Sequence, residues 1–238
     1  MSYVFKLFAP LIYKGNKVAC PVCEKSFSKF LSYGSEVAHR ENVLCPYDLT
    51  LERHRLMWLY LRDHSDFFTA KKLNVLHIAP EQCFIHKFKK QTNLNYLTGD
   101  LESPIADIHF DLHSIPLEEN RFDVVFCNHV MEHVTDPLQC MREIYRVMKP
   151  GGWAIMQVPQ DMNRETTYED ASIVTPEDRE KHFWQKDHVR LFGRDYPQWL
   201  EKAGFKSEEF DPKKHLNTAE IERFRLISEE VLYIFRKV

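Results

Sequence analysis

An α/β fold on a mainly parallel sheet, preceded by a small lobe, is what these 238 residues predict. From Asn74 onward, short apolar runs alternate with helical segments, the texture of strand–helix–strand units. Before about residue 70 the chain instead carries a cysteine cluster and one amphipathic stretch. The length fits one domain, or one with a small extra lobe. Hydrophobic residues make up 44% and charged residues 28%, which excludes long disorder and collagen-like structure. With 32 Lys and Arg against 35 Asp and Glu, the formal charge is −3, so strong nucleic-acid binding has no electrostatic footprint.

At the start, Val4, Leu7, Phe8, Leu11 and Ile12 recur at helical spacing. Lys6 interrupts the apolar run and no small-residue cleavage site follows, so a short helix packed on the body is expected rather than a signal peptide. No apolar run reaches the roughly 18 to 20 residues needed to cross a bilayer. A cytoplasmic protein is therefore expected, its six cysteines reduced or metal-bound. From Leu51 to Asp66, Leu51, Leu56, Leu59 and Tyr60 mark the inner face of a helix, with Glu52, Arg53 and Arg55 between them and Thr50 placed to cap it.

Strand candidates follow at Asn74–Ala79, ended by Pro80, then Leu94–Thr98, Ala106–Phe110 and Phe122–Cys127, with a lysine-rich helix after the first. Asp136 and Pro137 open a helix with inner face Leu138, Met141, Ile144, Tyr145 and Met148, stopped by Pro150-Gly151-Gly152. Trp153–Val158 is the fifth strand. Residues 159–192 form a polar stretch too long for an ordinary connection, as lids and substrate loops are. A helix over Asp195–Ala203, strands near Phe205–Phe210 and Val231–Arg236, and a helical Thr218–Arg225 complete the reading. The expected domains are a lobe over 1–70 and a body over 71–238.

In an open α/β sheet, ligands sit beyond the carboxyl ends of the strands. The polar residues there are Glu81, Asp100, Asp111, Asn128 and His129. Asp100 is placed to accept both ribose hydroxyls of an adenosine-containing cofactor, and Asp111 an adenine amino group. With Val75-Leu-His-Ile-Ala-Pro-Glu81, Gly99-Asp-Leu101, the run from Ser114 to Val134, and Glu143-Ile-Tyr-Arg-Val-Met-Lys-Pro-Gly-Gly-Trp153, the sequence resembles class I S-adenosylmethionine-dependent methyltransferases of the small-molecule type, in an uncharacterised bacterial subgroup. The resemblance covers roughly 70 to 238 and is densest over 98–160.

It implies a Rossmann-like seven-stranded sheet, mostly parallel with an antiparallel last strand, and S-adenosylmethionine as cofactor. Cofactor contacts would fall to Ala79 and Glu81 in the first loop, Asp100 and Leu101 at the ribose, Asp111 and Leu112 beside the adenine, and Asn128 and His129 at the methionine end. One departure is evident. The family's first loop reads acid-x-Gly-x-Gly-x-Gly, whereas here the positions are His77, Ala79, Glu81 and Cys83 around Pro80, in a chain with only 7 glycines. Backbone approach must be differently shaped. Glu81 either meets the cofactor's ammonium group or complements a helix dipole.

His188 is placed to act as a general base near neutral pH, with His133 as the competing base, and Arg190 to orient an anionic substrate; the alternative is a structural network fastening the loop. Cys127 and Cys140 read as buried hydrophobes. Cys20-Pro-Val-Cys23 and Cys45-Pro-Tyr-Asp48 repeat one spacing and read as a zinc ribbon, completed by Asp48 or by His39 and structural in role. The expected function is methyl transfer from S-adenosylmethionine to oxygen, nitrogen or carbon of a small molecule. The alternatives are methylation of RNA or protein, with the lobe as recognition module, and a non-enzymatic zinc-bearing interaction protein on a degenerate fold.

Overall fold

The computed structural model describes residues 8–9, 11–34 and 39–238. They form two compact units: residues up to Lys71 together with Phe210–Leu232, and Lys72–Glu209 together with Tyr233–Val238. Among the described residues no helix is long and apolar enough to cross a membrane.

The first unit holds two antiparallel strand pairs, β1 (Lys14–Cys20) with β2 (Lys25–Phe27) and β3 (Leu31–Tyr33) with β4 (Arg40–Leu44), followed by helix α1 (Glu52–Asp63). Thr50 does not cap α1; its hydroxyl donates to Asp48 Oδ1 at 2.8 Å, while the Leu51 N–H at the helix start donates to His54 Nδ1 at 3.0 Å. Arg55, which sequence spacing put on the polar face, is fully buried. Its guanidinium donates to the carbonyls of Val43 and Thr50 at 2.8 Å, Phe224 at 2.6 Å and Arg225 at 3.1 Å. These bonds explain why a segment near the chain's end belongs with its beginning: four carbonyls from three stretches share one buried cation. Val4 and Leu7 of the expected first helix lie outside the described residues. Residues 8–9 and 11–12 are helical, but Phe8, Leu11 and Ile12 are exposed rather than packed.

The second unit is built on β5 (Leu73–Ile78), β6 (Leu94–Asp100), β7 (Ile108–His109), β8 (Phe122–Cys127), β9 (Met148–Ile155), β12 (Phe205–Phe210) and β13 (Leu232–Lys237), in the order β12-β13-β9-β8-β5-β6-β7. The pairs β5/β6, β5/β8, β6/β7 and β8/β9 are parallel, and β13 runs antiparallel to β9. Strands β5 and β8 are near-continuous apolar runs because both sheet faces are covered. One cover is α2 (Gln82–Lys89), whose Phe84 and Phe88 are buried beside Tyr96 and Phe126.

The other cover includes α3 (Pro137–Val147). Asp136 caps it, accepting from Gln139 N at 2.9 Å, and its buried face is Cys140, Met141, Ile144 and Val147. That face is rotated from the expected one, leaving Leu138 and Tyr145 half-buried at its margins. The helix also stops earlier than Pro150-Gly151-Gly152. Met148 is already extended and pairs with Phe122, Lys149 before the proline avoids helical angles, and β9 takes in the Pro-Gly-Gly irregularity.

The stretch 159–192 is not a bare loop. It contains α4 (Pro176–Phe183), and β10 (Tyr168–Glu169) pairs antiparallel with β11 (Arg190–Leu191). Thr175 caps α4 by accepting from Asp178 N at 3.1 Å, with Pro176 at its first turn, a helix-start signal present in the sequence. Helix α5 (Tyr196–Lys202) follows.

Candidate functional site

The carboxyl ends of β5, β8 and β9 are joined by one chain of polar contacts that starts from Tyr96 inside β6. Burial pushes the Tyr96 phenol up, with Glu81 adding to it, so the hydroxyl keeps its proton. It is hydrogen-bonded to His77 Nδ1 at 2.7 Å, and because a carboxylate only accepts, the His77 Nε2–H donates to Glu81. The other Glu81 oxygen accepts from Asn128 Nδ2 at 2.9 Å, and Asn128 Oδ1 accepts from Gln157 N at 2.9 Å. Glu81 is thus neither a helix-dipole ornament nor an isolated charge. Its carboxylate ties the loop after β5 to the residue after β8. Two residues that follow strands here adopt left-handed angles without being glycine: Ala79 at φ 48° and His129 at φ 56°. Each is held by its backbone, with Ala79 N donating to Gly99 O at 2.9 Å and His129 N to Gln157 O at 2.7 Å. Such angles are costly for residues bearing a Cβ and cluster where function over-determines the backbone.

Asp100 and Asp111 come to the same end of neighbouring strands, since Asp100 is in register with His109 and its carbonyl accepts from Phe110 N at 3.0 Å. Asp100 Oδ1 accepts from the backbone of Glu102 at 3.0 Å and Ser103 at 2.9 Å, and Oδ2 accepts nothing among the described residues. Asp111 is exposed, and the His113 backbone N–H and ring hold its carboxyl below the usual range. Leu101 projects into solvent, whereas Leu112 is buried in the sheet's core.

Beyond Asn128 the chain turns through Glu132 and His133, both near His188 of the 159–192 stretch. The rings of His133 and His188 are 4.7 Å apart, edge to face. His188 is 1% exposed, and burial pushes its pKa down, so the ring is neutral at pH 7. Arg190 is nearly buried and donates to the carbonyls of Met131 at 2.7 Å, Thr135 at 3.3 Å and Val134, and to Glu169. Its guanidinium therefore clamps the 131–135 turn instead of facing a substrate. Sequence reasoning passed over Tyr96, Glu132 and Gln157, and named His77 only as the residue where the family's first loop carries an acid. Gln157 lies just beyond the carboxyl end of β9, and Glu132 adjoins His133, so both positions carried a signal. Burial pushes the Cys140 thiol up to about 12 and that of Cys127 well above its usual value, in keeping with inert packing.

In the first unit the ligand atoms of Cys20, Cys23, Cys45 and Asp48 all lie within 4.8 Å of one another. Cys23 Sγ and Cys45 Sγ are 3.8 Å apart, and Cys20 Sγ is 3.4 Å from Asp48 Oδ2. Burial pushes the Cys45 thiol up strongly, and burial followed by Cys20 raises the Asp48 carboxyl to about 6. His39 stands apart, its Nε2 bonded to Glu41 at 2.7 Å.

A family model described as a methyltransferase domain matches residues 62–156. Demethylmenaquinone methyltransferase of Staphylococcus epidermidis is 36% identical over 58 residues, 24% of this chain and 24% of that protein. A tRNA U34 carboxymethyltransferase of Nautilia profundicola is 25% identical over 141 residues, 59% of this chain and 43% of its own length. The chain thus spans less than half of each of these relatives. Among solved structures, a Galdieria sulphuraria protein provisionally assigned as a sarcosine dimethylglycine methyltransferase shares the fold, with TM-score 0.51, 13% identity, and 78% and 85% of the two chains covered. The strand order β12-β13-β9-β8-β5-β6-β7 with one antiparallel member is the fold this chain shares with that structure, and its residues 62–156 match a methyltransferase domain.

Proposed function

We propose that the protein transfers a methyl group from S-adenosylmethionine to a small molecule. The observation that carries this reading is the polar edge of the sheet, where Asp100 keeps one carboxylate oxygen for a ligand and Gln157 Oε1 and His129 Nε2 are buried without a hydrogen-bond partner. Orphaned buried polar atoms are costly, and a nucleoside with an amino-acid tail supplies partners for them. The residues present therefore fit the cofactor. Asp100 would hold the ribose hydroxyls and Asp111 would lie beside the adenine, with Leu101 covering one face and Leu112 supporting the turn from beneath. Ala79, Glu81, Asn128 and His129 would line the methionine end. When bound, the cofactor supplies a methyl group already activated on a sulfonium, so the protein's task is alignment. His133 and His188 stand beyond Asn128, on the side where an acceptor would enter.

A small molecule is favoured over RNA because the chain's charge is −3 and cationic side chains such as Lys89 and Lys149 are engaged by Asp107 and Asp123. Free thiols at all six cysteines suit a reducing compartment such as the cytoplasm. For the lobe we propose a structural zinc held by Cys20, Cys23, Cys45 and Asp48. Tetrahedral zinc with bonds of about 2.3 Å to sulfur and 2.1 Å to oxygen sets sulfur–sulfur separations of about 3.8 Å and sulfur–oxygen separations of about 3.6 Å. The cluster shows 3.8 Å, and 3.4 and 3.7 Å.

The deciding test is calorimetry with S-adenosylhomocysteine. Asp100→Asn keeps the acceptor for Glu102 and Ser103 but removes a charged contact of about 1.5 to 3 kcal/mol, so affinity should fall at least about tenfold. Unchanged affinity would remove Asp100 from the site, and no binding by the unaltered protein would remove the function.

A further inference from the structure

Glu132, His133 and His188 form a second group whose ligand atoms lie within 4.8 Å of one another, and neither cofactor contact nor core packing explains it. Glu132 is 1% exposed, and neither of its carboxylate oxygens makes a hydrogen bond. His129 Nδ1, 3.3 Å from Glu132 Oε1, approaches without hydrogen-bond geometry. An ionised carboxylate buried in this way is unstable unless a charge of opposite sign compensates it.

The two imidazoles are oriented to supply that compensation through a shared ion. His188 Nδ1 lies 2.8 Å from the Phe183 carbonyl, which can only accept, so Nδ1 carries the proton and Nε2 presents its lone pair. That Nε2 is buried and unpartnered. His133 repeats the arrangement, with Nδ1 3.3 Å from the Asp187 carbonyl and 3.4 Å from Asp187 Oδ2. A ring nitrogen donating to a carbonyl or carboxylate, with the other left for the metal, is the outer-shell pattern of metal-bound histidine, and a ring nitrogen of each histidine lies within 4.8 Å of a Glu132 carboxylate oxygen. The Arg190 clamp on the carbonyls of Met131, Val134 and Thr135 fixes the turn that carries two of the three groups.

We infer that Glu132, His133 and His188 bind one divalent transition-metal ion, a site separate from the cysteine cluster. Two imidazoles and one carboxylate suit manganese through zinc, and three protein ligands leave positions open for an oxygen ligand. Resting on the methyl-transfer reading, that ligand is a hydroxyl or carboxylate oxygen of the acceptor.

The probe is Mn²⁺, which oxygen and nitrogen ligands accept and thiolates disfavour. The chelator-treated protein is titrated with Mn²⁺ and the free ion is counted by its paramagnetic resonance signal. One ion bound per chain and displaced by Zn²⁺ is the expected result, with Glu132→Gln and His133→Gln each weakening binding at least about tenfold. His133 is partly exposed, so its variant reads the site even where Glu132→Gln disturbs packing. No Mn²⁺ bound at millimolar concentration, or equal binding by both variants, overturns the site. S-adenosylhomocysteine affinity, measured on the same samples, is expected to hold and reports separately on the cofactor reading.

Discussion

Ala79 shows what the missing glycines cost and what replaces them. A left-handed residue bearing a Cβ is destabilised by roughly 1 to 2 kcal/mol, and the chain accepts this at φ 48° where the loop must turn over the end of β5. Ala79→Gly should therefore raise stability by about 0.5 to 1 kcal/mol, the gain reduced by glycine's extra freedom in the unfolded chain. Urea unfolding measures it, and a lowered midpoint would show that the methyl group packs usefully. The loop's place after β5 was legible from its neighbours in sequence, but its wiring was not. Glu81 bonds to His77 and Asn128, and residue type alone does not say which partners a carboxylate finds. Arg55 misleads for the same reason: periodicity assigns charged side chains to solvent, and only the fold reveals the carbonyls that bury it.

Among the elements, α3 best joins what the sequence announced to what packing added. Its start was plain in Asp136 and Pro137, while its end and its buried face depended on the strand that follows. Glu143 on this helix accepts from Ile115 N at 2.9 Å and from Arg146 at 2.8 Å, and Arg146 reaches on to the carbonyls of Ile115 and Leu117. The Arg146 hydrogen bonds hold the Glu143 carboxyl below its ordinary value of 4.5. A carboxyl lowered by folding stabilises the native state fully above that ordinary value, and the contribution is lost as pH falls through the folded one. Glu143→Gln should cost about 1 to 3 kcal/mol at pH 7, and the difference from the unaltered protein should shrink under acid. A pH-independent difference in urea midpoints would assign the loss to packing. Strand β7 was placed at the right position yet runs only Ile108–His109, because apolar runs do not report where ladder pairing stops.

At the level of the entire chain, the seven-stranded, mostly parallel sheet with its antiparallel last strand followed from the family resemblance, and the split into units did not. Segment 210–232 joins the first unit through the carbonyls of Phe224 and Arg225 on Arg55, through Arg223 on Asn16, and through Phe210 and His215 against Tyr60 and His64, pairings that sequence spacing does not reveal. If zinc holds Cys20, Cys23, Cys45 and Asp48, a chelator should strip amide-exchange protection from residues 14–50 while the sheet strands β5 and β8 stay protected. Uniform protection before and after chelation would leave the lobe metal-independent. The excursion of residues 210–232 has a further consequence for biosynthesis. Because Phe224 and Arg225 supply acceptors for the first unit and β13 completes the sheet of the second, neither can finish folding while the nascent polypeptide is still short of those residues. Each unit is thus woven from segments distant in sequence, and neither has all of its residues until translation has passed position 209.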